Sequence, residues 1–181
     1  MKILAIGDTH GKLNKVRDIF PKLRDIDLII HTGDHYKDAE RLSEEFGIPS
    51  VAVKGNCDGC HEEDFQIVET EFGNILLTHG HMENVKYHLN TLMYKAQENN
   101  CIAVVFGHTH HALIEEAGGI RFINPGSLTL PRDGSDGSYA IIRTTEDSFD
   151  ASVVYYSTIM GNKKKPQAGF IRGLLNYSDR F

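Results

Sequence analysis

The sequence predicts an α/β fold, with a parallel sheet covered by helices in its first half and a second, more antiparallel sheet after it. Two observations carry this. Residues 2–53 alternate short β-branched runs with stretches whose apolar residues recur at helical spacing, the β-α-β-α-β order that builds parallel sheets. Beyond residue 65, extended runs meet at glycine turns with few helical stretches between them, the pattern of antiparallel pairing.

Residues 2–7 read as the first strand, with Asp8-Thr9-His10-Gly11 at its carboxyl end. Residues 13–23 place Leu13, Val16, Ile19, Phe20 and Leu23 on one helical face, and Pro21 kinks that helix or ends it early. Residues 27–32 form a second strand closed by Gly33-Asp34, and a helix over 37–46 stops at Gly47. Residues 51–53 form a third strand leading into Gly55-Asn56-Cys57-Asp58. Strands over 65–72 and 75–78 pair through Gly73-Asn74, and the second ends at His79-Gly80-His81. A helix over 85–99 carries Leu89, Leu92, Met93 and Ala96 on one face. The apolar run 102–106 empties into Gly107-His108-Thr109-His110. Strands at 112–116 and 120–123 turn at Gly118-Gly119, and Asn124-Pro125-Gly126-Ser127 is a break. Strands at 139–143 and 151–156 then complete the second sheet. The domain is expected to span residues 1–160. Residues 161–181 are a tail in which Phe170, Ile171, Leu174 and Leu175 recur at helical spacing behind three lysines, the pattern of a docked helix or an oligomer contact.

The chain of 181 residues is long enough for one domain with a sizeable core. A formal net charge of −6 argues against a broad nucleic-acid or anionic-membrane surface. No apolar run approaches the ~20 residues of a membrane span, so a cytoplasmic location is the expectation. The three cysteines, Cys57, Cys60 and Cys101, form no disulfide framework. Cys57 to His61 spells the c-type haem pattern, but haem attachment requires export, and the glycines around the pair speak for a loop with reduced thiols.

Collected at strand ends are Asp8, His10, Asp34, Asn56, His79, His108 and His110. In α/β sheets ligands bind in the crevice beyond the carboxyl ends of the strands. Seven oxygen and nitrogen donors exceed what one four-coordinate ion needs, and two divalent ions sharing a carboxylate fit the number. Asp34, isolated between glycine-flanked clusters, is the expected bridge. Imidazole mixed with carboxylate and no thiolate suits Mn, Fe, Co or Zn; manganese is the expected metal, with Ni, Co, Fe or Zn as alternatives.

In this order the motifs D-x-H, G-D, G-N-x-D, H-G-H and G-H-T-H resemble those of the calcineurin-like metallophosphoesterase superfamily, and the small size and N-P-G-S segment are most similar to its YfcE-type phosphodiesterases. The resemblance implies a four-layer α/β/β/α sandwich of two mixed sheets. By motif, Asp8, His10 and His110 would hold one metal, Asn56, His79 and His108 the other, and Asp34 both. It also implies hydrolysis of a small phosphodiester by a metal-bridging hydroxide. Asn56, Asp58 and His81 are the candidate catalytic groups beyond ligation; Cys57, Asn124 and Ser127 are the candidate substrate contacts. Catalytic members commonly carry histidine where this chain has Cys57, and a thiol is a poor proton donor beside an imidazolium. The alternatives are a phosphomonoesterase or nuclease on the same centre and a non-catalytic protein-binding scaffold, the latter disfavoured by a complete ligand set. A homo-oligomer remains open.

Overall fold

A computed structural model describes residues 1–59 and 65–161. The expected tail helix, Cys60 and His61 lie outside the described residues. The first sheet has the order β10-β9-β1-β2-β3, built from β1 (Lys2–Ile6), β2 (Leu28–His31), β3 (Ser50–Ala52), β9 (Ser138–Thr144) and β10 (Phe149–Tyr155). The second has the order β4-β5-β6-β8-β7, from β4 (Phe65–Glu69), β5 (Asn74–Thr78), β6 (Cys101–Val105), β7 (Ala112–Ala117) and β8 (Ile120–Pro125). Both are mixed: β1 runs parallel to β2 but antiparallel to β9, and β6 runs parallel to β5 and β8 while β4 and β7 run antiparallel at the edges.

Period-two alternation along β1 explains the layering. Ile3 and Ala5 point into a core shared with Ile75, Leu77, Ala103 and Val105 of the second sheet. Leu4 and Ile6 point the other way, onto α1 (Asn14–Ile19) and Leu42 of α2 (Lys37–Phe46). On the far side of the second sheet, Leu76, Val104 and Phe122 meet Leu92 and Ala96 of α3 (Asn90–Glu98). The order is therefore helix, sheet, sheet, helix, and strands covered on both faces need the near-continuous apolar runs seen in the sequence. Pro21 ends α1 at a 3₁₀ turn over Phe20–Lys22, and Gly47 caps α2 at φ 68°. A short α4 (Tyr156–Met160) follows β10.

Three expectations are corrected. The last two strands join the first sheet, not the second: β9 pairs with β1 from Lys2–Arg143 to Ala5–Ala140. Alternation shows that a strand has two faces; it does not show which sheet receives it. The helix expected over 85–99 begins only at Asn90. Val85 and Leu89 are fully buried from a run of turns instead, so burial supplied the apolar spacing without helix. Asn124 and Pro125 close β8, with Pro125 opposite Ala112, and the break begins at Gly126, whose φ is 69°.

Candidate metal centre

The ends of β1, β2, β5 and β6 open toward one crevice, and the loops leaving them bend sharply. Asp8, His10, Asp34, His108 and His110 all have positive φ, between 49° and 66°. Non-glycine residues adopt this region only where the surroundings over-determine it, at a cost of order 1–3 kcal/mol each. Neighbouring glycines let the loops close in. A β-carbon on Gly55 would overlap the Asp34 carboxylate, and one on Gly33 would lie 2.8 Å from both Gly55 N and His79 Nδ1.

Asp8, His10, Asp34 and His110 offer ligand atoms that all lie within 4.8 Å of one another. His110 Nε2 is 3.4 Å from Asp8 Oδ1, and His10 Nε2 is 3.7 Å from Asp34 Oδ2. Asp34 turns its other oxygen, Oδ1, toward His79 Nε2 at 3.5 Å, while His79 Nε2 is 3.1 Å from Asn56 Oδ1. The His108 ring stands 5.0 Å, centroid to centroid, from that of His79. All seven expected donors thus converge around Asp34, four in one compact group and three beside it.

These residues fit a divalent cation. Bonds of about 2.1 Å put neighbouring ligand atoms ~3.0 Å apart at right angles and ~3.4 Å apart in a tetrahedron, close to the spacings above. Asp8 Oδ1 and His10 Nε2 are buried without any hydrogen-bond partner, and buried polar atoms are otherwise nearly always satisfied. The tautomers agree. Nδ1 of His79 donates to the Thr32 carbonyl at 2.7 Å and Nδ1 of His110 to the Leu130 carbonyl at 2.7 Å, leaving both Nε2 lone pairs aimed inward, as metal-ligating histidines require.

The electrostatics point the same way. Burial lowers His79 and His108 to about 4, with neighbouring histidines adding to the effect, and burial also lowers His110. With His79 and His110 neutral, their 3.5 Å and 3.4 Å contacts to Asp34 and Asp8 are spacings that suit ligands of one ion better than ion pairs. Burial, then the Asp34 charge, pushes the Asp8 carboxyl well above its ordinary range. For Asp34 burial pushes upward too, but His79 and the Cys57 amide, which donates at 2.9 Å, outweigh it and hold the carboxyl low.

The residues expected beyond the ligand set divide. His81 stands 5.2 Å from the His79 ring and 6.1 Å from that of His108, with its Nδ1 buried and unpartnered. Cys57 is exposed at the mouth beside Asn56, whose amide donates to its Sγ at 3.4 Å. Three expectations are revised. Asp58 accepts from the backbone N–H groups of His35, Tyr36 and Gly55 at 2.7–3.2 Å, which occupies its carboxylate in tying two loops together. Asn124 and Ser127 are fully buried and present nothing to a substrate. Ser127 donates to the Asp8 carbonyl and accepts from the amides of Thr129 and Leu130; Asn124 donates to the Gly107 carbonyl and to Thr109 Oγ1. All three position loops. Thr9, His31 and Asp38, which sequence reasoning passed over, lie buried beneath the same loops.

A model of the calcineurin-like phosphoesterase superfamily domain matches residues 1–147. The chain belongs to this superfamily. It is 35% identical over 158 residues to the probable metallophosphoesterase YsnB of Bacillus subtilis, covering 86% of this chain and 90% of that one. With Escherichia coli phosphodiesterase YfcE it shares 30% over 172 residues, 78% of this chain and 87% of the other. The solved structure of YfcE superposes at TM-score 0.60 and 24% identity, over 86% of this chain and 100% of that one. Wild-type Vps29 of Entamoeba histolytica, solved with zinc, superposes at TM-score 0.69 over 86% of this chain and 99% of its own at 21% identity, a likeness of fold alone. The fold is thus the α/β/β/α sandwich of the metallophosphoesterases, and no helix among the described residues is long and apolar enough to cross a membrane.

Proposed function

We propose that this chain is a di-metal phosphodiesterase acting on small phosphodiesters, with manganese the first metal to test. The observation that carries the reading is Asp34, which turns one oxygen toward His10 and the other toward His79, as a carboxylate serving two ions must. Asp8, His10 and His110 complete one side; Asn56, His79 and His108 complete the other. Divalent ions there supply a Lewis acid for the phosphoryl oxygens and a nucleophilic water at neutral pH. The chain itself sets the imidazole tautomers, excludes water beneath the ligands and aims the Asn56 side chain at the mouth. His81 stands where its ring can orient a neighbouring imidazole or a substrate oxygen. Metal dependence and a phosphoester substrate agree with the names of the relatives; the diester preference draws on YfcE in particular. A cytoplasmic location and a possible homo-oligomer belong to the same proposal.

Cys57 shapes the substrate range. Partial burial, reinforced by the Asp34 carboxylate, pushes its thiol up to about 11, so it stays protonated at neutral pH and donates poorly to a departing oxygen. Aryl diesters, whose leaving groups need little protonation, should be cleaved well ahead of alkyl diesters. The manganese-loaded protein, assayed against aryl and alkyl mono- and diesters, should hold close to two equivalents and prefer aryl diesters. Cys57→His should narrow the gap, chiefly by raising the alkyl rate, because general-acid assistance is worth roughly 10²–10⁴-fold. A monoester preference would overturn the diester reading. An aryl rate abolished by Cys57→Ser, with both metals retained, would overturn the mechanism.

A further inference from the structure

Asp8 and His10 both sit at positive φ, 51° and 49°, with Thr9 between them. A left-handed residue on each side of a threonine is a conformation the loop does not hold unaided. What surrounds Thr9 is a chain of buried polar groups. Thr9, His31 and Asp38 are each at most 1% exposed. The Gly33 amide donates to His31 Nδ1 at 3.1 Å, which makes that nitrogen the acceptor and puts the imidazole proton on Nε2. His31 Nε2 lies 3.0 Å from Thr9 Oγ1 and donates to it. The hydroxyl proton then goes to Asp38 Oδ2 at 2.7 Å. The same Asp38 oxygen accepts from the Gly11 amide at 3.0 Å, and its partner oxygen accepts from Arg41 at 3.0 Å. Every proton in the chain has one direction. It runs from the residue before Asp34, through the residue between Asp8 and His10, to the first turn of α2.

We infer that Thr9, held between His31 and Asp38, is a positioning residue that presets Asp8 and His10 for a divalent cation before the cation binds. The chain touches no ligand side chain. It acts on the backbone on both sides of the ligands, fixing the left-handed turns at Asp8 and His10 and tying them to Gly33. Without it, an arriving ion would have to bear the ordering of that loop, and affinity would fall by the population of the competent loop. The other sheet repeats the device: Thr109 lies between His108 and His110, at φ 66° and 59°, and its hydroxyl accepts from buried Asn124 at 3.1 Å.

The inference rests on the metal-site reading above, and the test separates the two. Mn²⁺ affinity of the whole chain is measured by titration calorimetry, with free Mn²⁺ followed by electron paramagnetic resonance. Thr9→Val keeps the shape and loses the hydroxyl; its Mn²⁺ affinity should fall about 10–100-fold, the range seen when groups orienting metal ligands are lost. Thr9→Ser restores the hydroxyl and should recover to within about threefold of wild type. A merely structural role would lower thermal stability in both without separating their affinities. If Thr9→Val does not fold, Asp38→Asn takes its place and should weaken binding at least about threefold. Wild-type affinity in either variant, with Asp8→Ala losing the ion, overturns the positioning role alone. Undiminished binding by Asp8→Ala overturns the metal-site reading and this inference with it.

Discussion

The two sides of the proposed metal centre are built differently. Both draw on strand ends of both sheets, but on the first Asp8, Asp34 and His110 are at most 3% exposed, with His10 half-buried beside them. The other side combines fully buried His79 with half-buried His108 and exposed Asn56. Asn56 follows β3, a three-residue edge strand that is only half-buried throughout. The first side is therefore set by the core, whereas the second is completed by a loop at the mouth. Rigid, prearranged ligands lower the ordering cost of binding, and the first side should hold its ion more tightly.

Asp34 belongs to both sides, and removing it is the strongest way to break the contrast. Asp34→Ala should reduce tightly held manganese from about two equivalents to none and abolish diester hydrolysis, with elemental analysis after loading as the measurement. Two ions held tightly by that variant would end its role as a bridge and with it the idea of two sides sharing one carboxylate.

A paired comparison sharpens the asymmetry. His110→Ala removes a buried proposed ligand whose Nδ1 is fixed on the Leu130 carbonyl; Asn56→Ala removes an exposed one. The first should cost Mn²⁺ affinity by at least about 100-fold at the tight step, the second about tenfold at the weak step only. Stepwise calorimetry reads both. If Asn56→Ala weakens the tight step as much as His110→Ala does, the two sides are one cooperative unit and the distinction fails.

The same contrast explains what was legible in the sequence. Candidate ligands standing directly after apolar runs, such as Asp8, Asp34, His79 and His108, could be singled out because a strand end and a glycine mark them, and the fold brings them together. The helix over 37–46 was legible to the residue, since an apolar stripe and a glycine stop agree there. What escaped depends on contacts between distant segments. Nothing local in residues 138–155 tells which sheet receives them; the answer is the pairing of Ala140 with Ala5. Asp58 was a candidate catalytic group through its place in the G-N-x-D motif, yet three backbone amides from two loops engage its carboxylate. Thr9, His31 and Asp38 carry no motif of their own, and only the fold brings residues 9, 31 and 38 into one chain of hydrogen bonds.

The smallest expected effect is on stability against pH in the metal-free protein, and it touches both sides, since burial lowers His110 as well as His79 and His108. His79 is fully buried, and burial lowers it from 6.5 to about 4. Its folded pKa lies below its unfolded one, so below pH 6.5 the unfolded chain takes up a proton that the folded chain refuses. Stability is fully present above pH 6.5, declines as pH falls, and stops declining on this account near pH 4. The slope contributed by one such histidine approaches about 1.4 kcal/mol per pH unit. His31 and His108, also lowered to about 4 chiefly by burial, contribute in the same window, so no single substitution should flatten the curve. His79→Gln should reduce the slope between pH 6 and 4.5 by about one proton's worth and leave that of His31 in place. Asn56→Ala, which removes no titrating group, should shift the curve without changing its slope. Urea unfolding of chelator-treated protein at several pH values measures this directly, and equal slopes for wild type and His79→Gln would show that His79 is not held neutral by burial.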